Sequence, residues 1–96
     1  MNYSAHAARR KANRFLAEEV NMFMSGGEPQ LVVADRMYWR VPILYALPHG
    51  PHGEVGSLDV DVETGQLRIP PDFSEELNRR ADALTRSSSP QTATGE

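Results

Sequence analysis

Three groups of residues in this 96-residue chain have side chains and spacings that could do chemistry. The first is Pro48-His49-Gly50-Pro51-His52-Gly53, followed by Glu54. Imidazole suits zinc or copper, and a flexible loop could converge two rings and a carboxylate on one ion. Only two histidines are close, however, and His6 lies far away along the chain. A plain hairpin loop accounts for the same residues, and neither a metal nor any other cofactor is expected. The second group, Asp59, Asp61, Glu63 and Gly65, looks superficially like a calcium loop. An EF-hand loop needs glycine at position 6 and a bidentate glutamate at position 12. Counting from Asp59 puts Thr64 and Pro70 there instead, and the intervening Val60 and Val62 give strand alternation with a solvated acidic face.

The third group is Arg9, Arg10, Lys11 and Arg14. Such a basic cluster on a helix could contact nucleic acid or an acidic partner. A solvated helix end explains it as well, because Glu18 and Glu19 follow closely enough to pair at helical spacing, as in Arg14–Glu18. Nucleophilic chemistry has no foothold. Serines occur at positions 4, 25, 57 and 74 and in the tail, none in a nucleophile-elbow context. Carboxylates alternate with arginines along the strands rather than crowding into a cleft. No catalytic residue is assigned, and a non-enzymatic protein is expected.

Composition bounds the rest. The length suits one domain. With 24% charged and 40% hydrophobic residues the chain has globular rather than disordered composition. Ten Lys and Arg against thirteen Asp and Glu leave a formal charge of −3, which disfavours polyanionic partners as a whole. With no cysteine there is no disulfide framework and no thiolate metal site. No apolar run approaches the roughly 20 residues of a membrane span, so a cytoplasmic location is expected.

The elements that must position these groups follow from periodicity. A helix is predicted from about Ser4, a plausible N-cap, to Ser25, with Gly26-Gly27 as its stop. Ala8, Ala12, Phe15, Leu16, Val20, Phe23 and Met24 form its apolar stripe. Three hairpins come next, turning at Asp35-Arg36, at residues 48–53 and at Thr64-Gly65. These turns set Val32 against Trp39, Ile43 against Leu58, Val41 against Val60, and Val60 against Ile69, all apolar pairs. On the other face they align Arg40, Asp61 and Arg68 in a ladder of alternating charge. Pro42, awkward in a central strand, falls just past the end of its neighbour. Pro70-Pro71 ends the last strand, Asp72 and Glu75 read as a capping box, and Phe73, Leu77, Ala81 and Leu84 give a second helix a narrow stripe. The polar SSSPQTATGE segment should be a disordered tail.

The expectation is therefore an α+β domain over residues 1–86, α-β-β-β-β-α, with a four-stranded antiparallel meander and a tail over 87–96. Its 37–47 strand is apolar on both sides. One side meets the first helix. The other, with Leu31, Val33, Tyr38, Leu44 and Ala46 beside the Arg40–Asp61–Arg68 ladder, is covered either by the last helix or by a partner. In the second case Leu31, Val33, Tyr38, Arg40, Leu44, Asp61 and Arg68 form a surface for a protein partner or for self-association, with Tyr38, Arg40 and Leu44 as anchors.

Tyr38-Trp39-Arg40-Val41, a glycine-containing hairpin and Val60-Asp61-Val62-Glu63-Thr64-Gly65-Gln66-Leu67 resemble the PepSY-like fold, in which a helix precedes a small antiparallel sheet. With the helix, the resemblance covers roughly residues 5 to 69. It implies a non-catalytic regulatory or inhibitory module. Its members are often secreted or membrane-associated, unlike the location expected here. The chain also resembles small bacterial cytoplasmic proteins, which adds an antitoxin-like reading. The alternatives are a ligand or metal module built on residues 48–54 and a nucleic-acid-binding regulator built on the basic helix.

Overall fold

The chain's first helix is shorter than its apolar stripe suggests. In the computed structural model, which describes residues 3–50 and 52–87, α1 runs over Ala5–Glu19. Ser4 caps it, its hydroxyl accepting from the Ala7 N–H at 3.0 Å. Asn21 prevents continuation, because its side-chain oxygen accepts from the Phe23 N–H at 2.8 Å and turns the chain. Met24–Gly26 then forms a strand, β1, instead of a last helical turn.

Four more strands follow: β2 (Gln30–Val33), β3 (Met37–Ala46), β4 (His52–Asp61) and β5 (Leu67–Arg68), before α2 (Phe73–Ser87). The sheet is antiparallel, with five strands rather than four. β1 and β2 lie end to end along the same side of β3, pairing Met24 with Tyr45 and Gln30 with Arg40. The break between them sits beside Pro42, whose carbonyl accepts from the Gly27 N–H at 2.8 Å. In a strand the N and C=O of one residue point the same way, so the N–H that proline lacks would have faced this gap. The expectation that Pro42 costs no ladder bond holds, by a broken neighbour rather than one that ends.

The register differs from the predicted one at each hairpin, for local reasons. A two-residue turn at Asp35-Arg36 would need positive φ, and no non-glycine residue among those described adopts it. The link is Ala34-Asp35-Arg36, closed by Ala34 N–H to Arg36 C=O at 2.9 Å, so Val32 opposes Tyr38 and Leu31 opposes Trp39. At the second hairpin Trp39 opposes Val60 and Val41 opposes Leu58, and an irregularity between Ile43 and Leu44 moves the pairing by one more residue. The third turn spans four residues, 62–65, because Asp61 holds it, and its N–H donates to Gln66 C=O at 2.9 Å. Gly65 supplies the positive φ of +77° that this turn requires.

Both helices pack on one face of the sheet. Ala8, Ala12 and Leu16 of α1 and Leu77 and Ala81 of α2 join Val41, Ile43, Tyr45, Val55, Leu58 and Val60 in one buried core. Phe15 and Phe73 meet between the helices with centroids 6.1 Å apart. β4 makes room for α2 with glycine: a Cβ on Gly56 would stand 3.0 Å from Leu77, and one on Gly53 3.0 Å from Leu84. The first helix is tied down at both ends. The Tyr3 N–H donates to Val62 C=O at 2.6 Å, the Trp39 indole donates to Tyr3 C=O at 2.8 Å, and Asn21 reaches Asn78 at 3.1 Å. The expected α+β class is the observed one. The expected tail lies outside the described residues from position 88 onward.

Candidate functional site

With both helices on one side, no described element covers the other face of the sheet. Register places Gln30 and Val32 of β2, Tyr38, Arg40, Pro42, Leu44 and Ala46 of β3, and Asp59 and Asp61 of β4 on it. Arg68 of β5 joins them opposite Asp59. Alternation along β3 dictates this, since its odd residues Val41, Ile43 and Tyr45 are in the core.

Five of the seven residues expected on this face are there: Tyr38, Arg40, Leu44, Asp61 and Arg68. Leu31 and Val33 are not. The one-residue slip at the first turn puts them opposite Trp39 and Met37, on the helix side of the sheet. They stay exposed there because β2 extends past the helices.

The charge ladder exists with one member exchanged. Arg40 pairs with Asp59, not Asp61, through two hydrogen bonds of 3.0 and 3.1 Å. The carboxylate raises the Arg40 pKa above its ordinary value by hydrogen bonding and by charge. Arg68 stands across from Asp59 in the register, but its guanidinium lies over the Tyr38 ring, 4.4 Å from the centroid. Tyr38 is thereby only 4% exposed, so its ring is a floor of the face rather than a projecting anchor. Its hydroxyl reaches Asp35 at 3.4 Å. Leu44, at 40% exposed, is the large apolar side chain that does project.

Asp61 has a different task. Its carboxylate accepts from the backbone N–H groups of Glu63 (2.8 Å) and Thr64 (3.0 Å), and Arg36 stands 3.5 Å away. Hydrogen bonding from Thr64 leads in holding its pKa below the ordinary value, Glu63 and Arg36 add to this, and desolvation opposes. The residue builds the turn. Sequence reasoning missed this because Asp59 and Asp61 share strand parity, though Asp61-x-x-Thr64-Gly65 carries the side-chain capping pattern that could have signalled it.

The other candidates are placed as follows. His49 is exposed on the loop before β4, while His52 and Glu54 are exposed on β4 across from Ala46 and Leu44. No three His, Asp or Glu side chains converge as a metal-ligand group among the described residues. In the basic cluster, Arg9 donates to Gly26 C=O at 3.1 Å and Lys11 to Gly65 C=O at 2.6 Å, so both fasten α1 to the sheet. Arg10 and Arg14 are exposed beside a shallow hollow of about 430 Å³ that Tyr3 and Ala7 complete. No helix among the described residues is long and apolar enough to cross a membrane.

Comparison with known proteins adds no relative: no protein-family model, no curated protein and no solved structure matches the chain.

Proposed function

We propose that this protein is a non-catalytic interaction module, regulatory or inhibitory in role, that binds a protein partner through the open face of its sheet. The observation that carries the reading is the placement of both helices on one side, with a five-stranded face that no described element covers on the other. Pro42, Leu44 and Ala46 run as an apolar strip along its middle, flanked by Arg40–Asp59, Arg68, His52 and Glu54. An apolar strip with a charged rim is what a transient protein interface requires. The charged pairs set orientation and partner choice, and the desolvated apolar centre supplies most of the affinity. The resemblance to PepSY-like modules points the same way.

Leu44→Asp tests this directly. Leu44 is 40% exposed, and the repulsion between the new carboxylate and Glu54 opposite it costs at most about 1 kcal/mol, so the variant should stay folded with a melting temperature lowered by no more than about 8 °C. The immobilised full chain should retain a stoichiometric partner from its native extract, and the Leu44→Asp chain should lose it by at least about tenfold. Equal recovery by both chains would end the reading.

A further inference from the structure

The strand edge beside this face is built for a second use. Among the described residues β2 pairs with β3 alone and forms the border of the sheet. Its hydrogen-bonding direction can be read from the bonds around it. Pro42 C=O accepts from Gly27 and Arg36 C=O from Ala34 on one side of β3, whereas Met37 C=O accepts from Val62 on the other. Even-numbered residues of β3 thus face β2, and Gln30 and Val32 answer them. Leu31 and Val33 must turn their N–H and C=O groups outward, and no described residue is recorded as taking them. β1, the continuation of the same border, is treated differently. There the Gly26 N–H donates to Asn13 Oδ1 at 2.6 Å and the Gly26 C=O accepts from Arg9 at 3.1 Å. One half of the edge is sealed by α1 and the other is left open.

The side chains on the open half are apolar as well. Leu31 is 51% exposed, Val33 71% and Met37 41%, all on the helix side of the sheet. A bare edge strand with apolar side chains invites another strand. We propose that the occupant is a second copy of this chain, paired β2 to β2 in antiparallel fashion about a two-fold axis through Val32. That register sets Leu31 opposite Val33 of the second copy twice over, so all four outward N–H and C=O groups of each strand are satisfied. The strand is therefore self-complementary in hydrogen bonding and apolar surface, as an isologous contact must be. A slip of one residue would oppose outward groups to inward ones, and a slip of two would centre the contact on Leu31 or Val33 and leave the outward groups of the other without a partner strand. This contact goes beyond the open-face reading, since it uses the rim of the sheet and leaves Leu44 free.

The experiment uses the full chain, alone, by sedimentation equilibrium and by cysteine cross-linking. The expected mass is twice 10.7 kDa. Val33→Pro removes only an outward N–H, so it should retain the fold, as prolines do on edge strands, and weaken dimerisation by at least about tenfold. The chain has no cysteine of its own. At the two-fold axis the two Val32 Cα atoms would lie about 4.5 Å apart, within disulfide range, whereas the two Gln30 positions would be about 14 Å apart. Val32→Cys should therefore oxidise to a covalent dimer and Gln30→Cys should not. A monomer at about 1 mM overturns the proposal, leaving the edge for a strand of another protein or for none. Equal cross-linking of the two cysteine variants, or a dimer that survives Val33→Pro, overturns it too. Leu44→Asp should dimerise like the parent, which separates this contact from the open-face reading.

Discussion

Asp61 shows how one carboxylate can hold a hairpin closed. Its folded pKa is lowered, so its contribution to stability is complete above the ordinary aspartate value of 3.8 and is lost as pH falls through the lower native value. Asp61→Asn keeps an oxygen to accept from Glu63 and Thr64 but carries no charge. The melting temperature of the parent should therefore fall more steeply than that of Asp61→Asn as pH is lowered from about 5 to about 2.5. Parallel profiles would show that the charge is idle. This residue was only half legible in the sequence. Alternation placed it on the correct face, but a shift of two residues preserves alternation, so Asp59 and Asp61 exchanged roles unseen. Tyr38 was legible as a member of the face and illegible as a buried one, because its cover is Arg68 from two strands away.

At the scale of elements, α1 takes the place of a neighbouring strand for β1. Asn13→Ala should leave the Gly26 N–H without its acceptor, at a cost of about 1–3 kcal/mol. In hydrogen exchange the Gly26 amide should then lose protection while amides of β4 keep theirs. Unchanged protection at Gly26 would mean the bond to Asn13 is dispensable. β1 itself was hidden in the sequence. Phe23 and Met24 continue the helical stripe, and nothing but Asn21 and the pair Gly26-Gly27 argues for an earlier stop. A three-residue strand is also too short to show a period of two. The first hairpin failed for a related reason: apolar residues on both faces of β2 and β3 fit either register equally well. The longer elements β4 and α2 were readable because each carries enough alternation or helical spacing to exclude the other, and β3 because its β-branched and aromatic residues run between two turn signals.

At the scale of the molecule, the class and the order of the long elements followed from the sequence, but the side on which α2 lies did not. Its stripe of Phe73, Leu77, Ala81 and Leu84 would have served against either face. What decides the matter is Gly53 and Gly56, the two seats without side chains on β4. They look like ordinary loop and strand glycines until the helix is in place. That single choice of side is what leaves the open face available for a partner.

The bonds that fasten α1 also constrain the order in which the chain can be completed. Tyr3 is held by Val62, and Lys11 by Gly65, more than fifty residues later. During synthesis the first helix emerges long before either anchor exists, and we expect it to stay only loosely seated, on β1 and β3, until the last hairpin has left the ribosome. In stalled nascent chains, residues 5–19 should remain open to protease when Val60 is the last residue exposed, and gain protection only after Gln66 has emerged. Early protection would mean that β1 and β3 alone can seat the helix. On the expected outcome, a helix made before the sheet it packs on is among the last elements to be secured, and any factor that shields young chains has its longest task there.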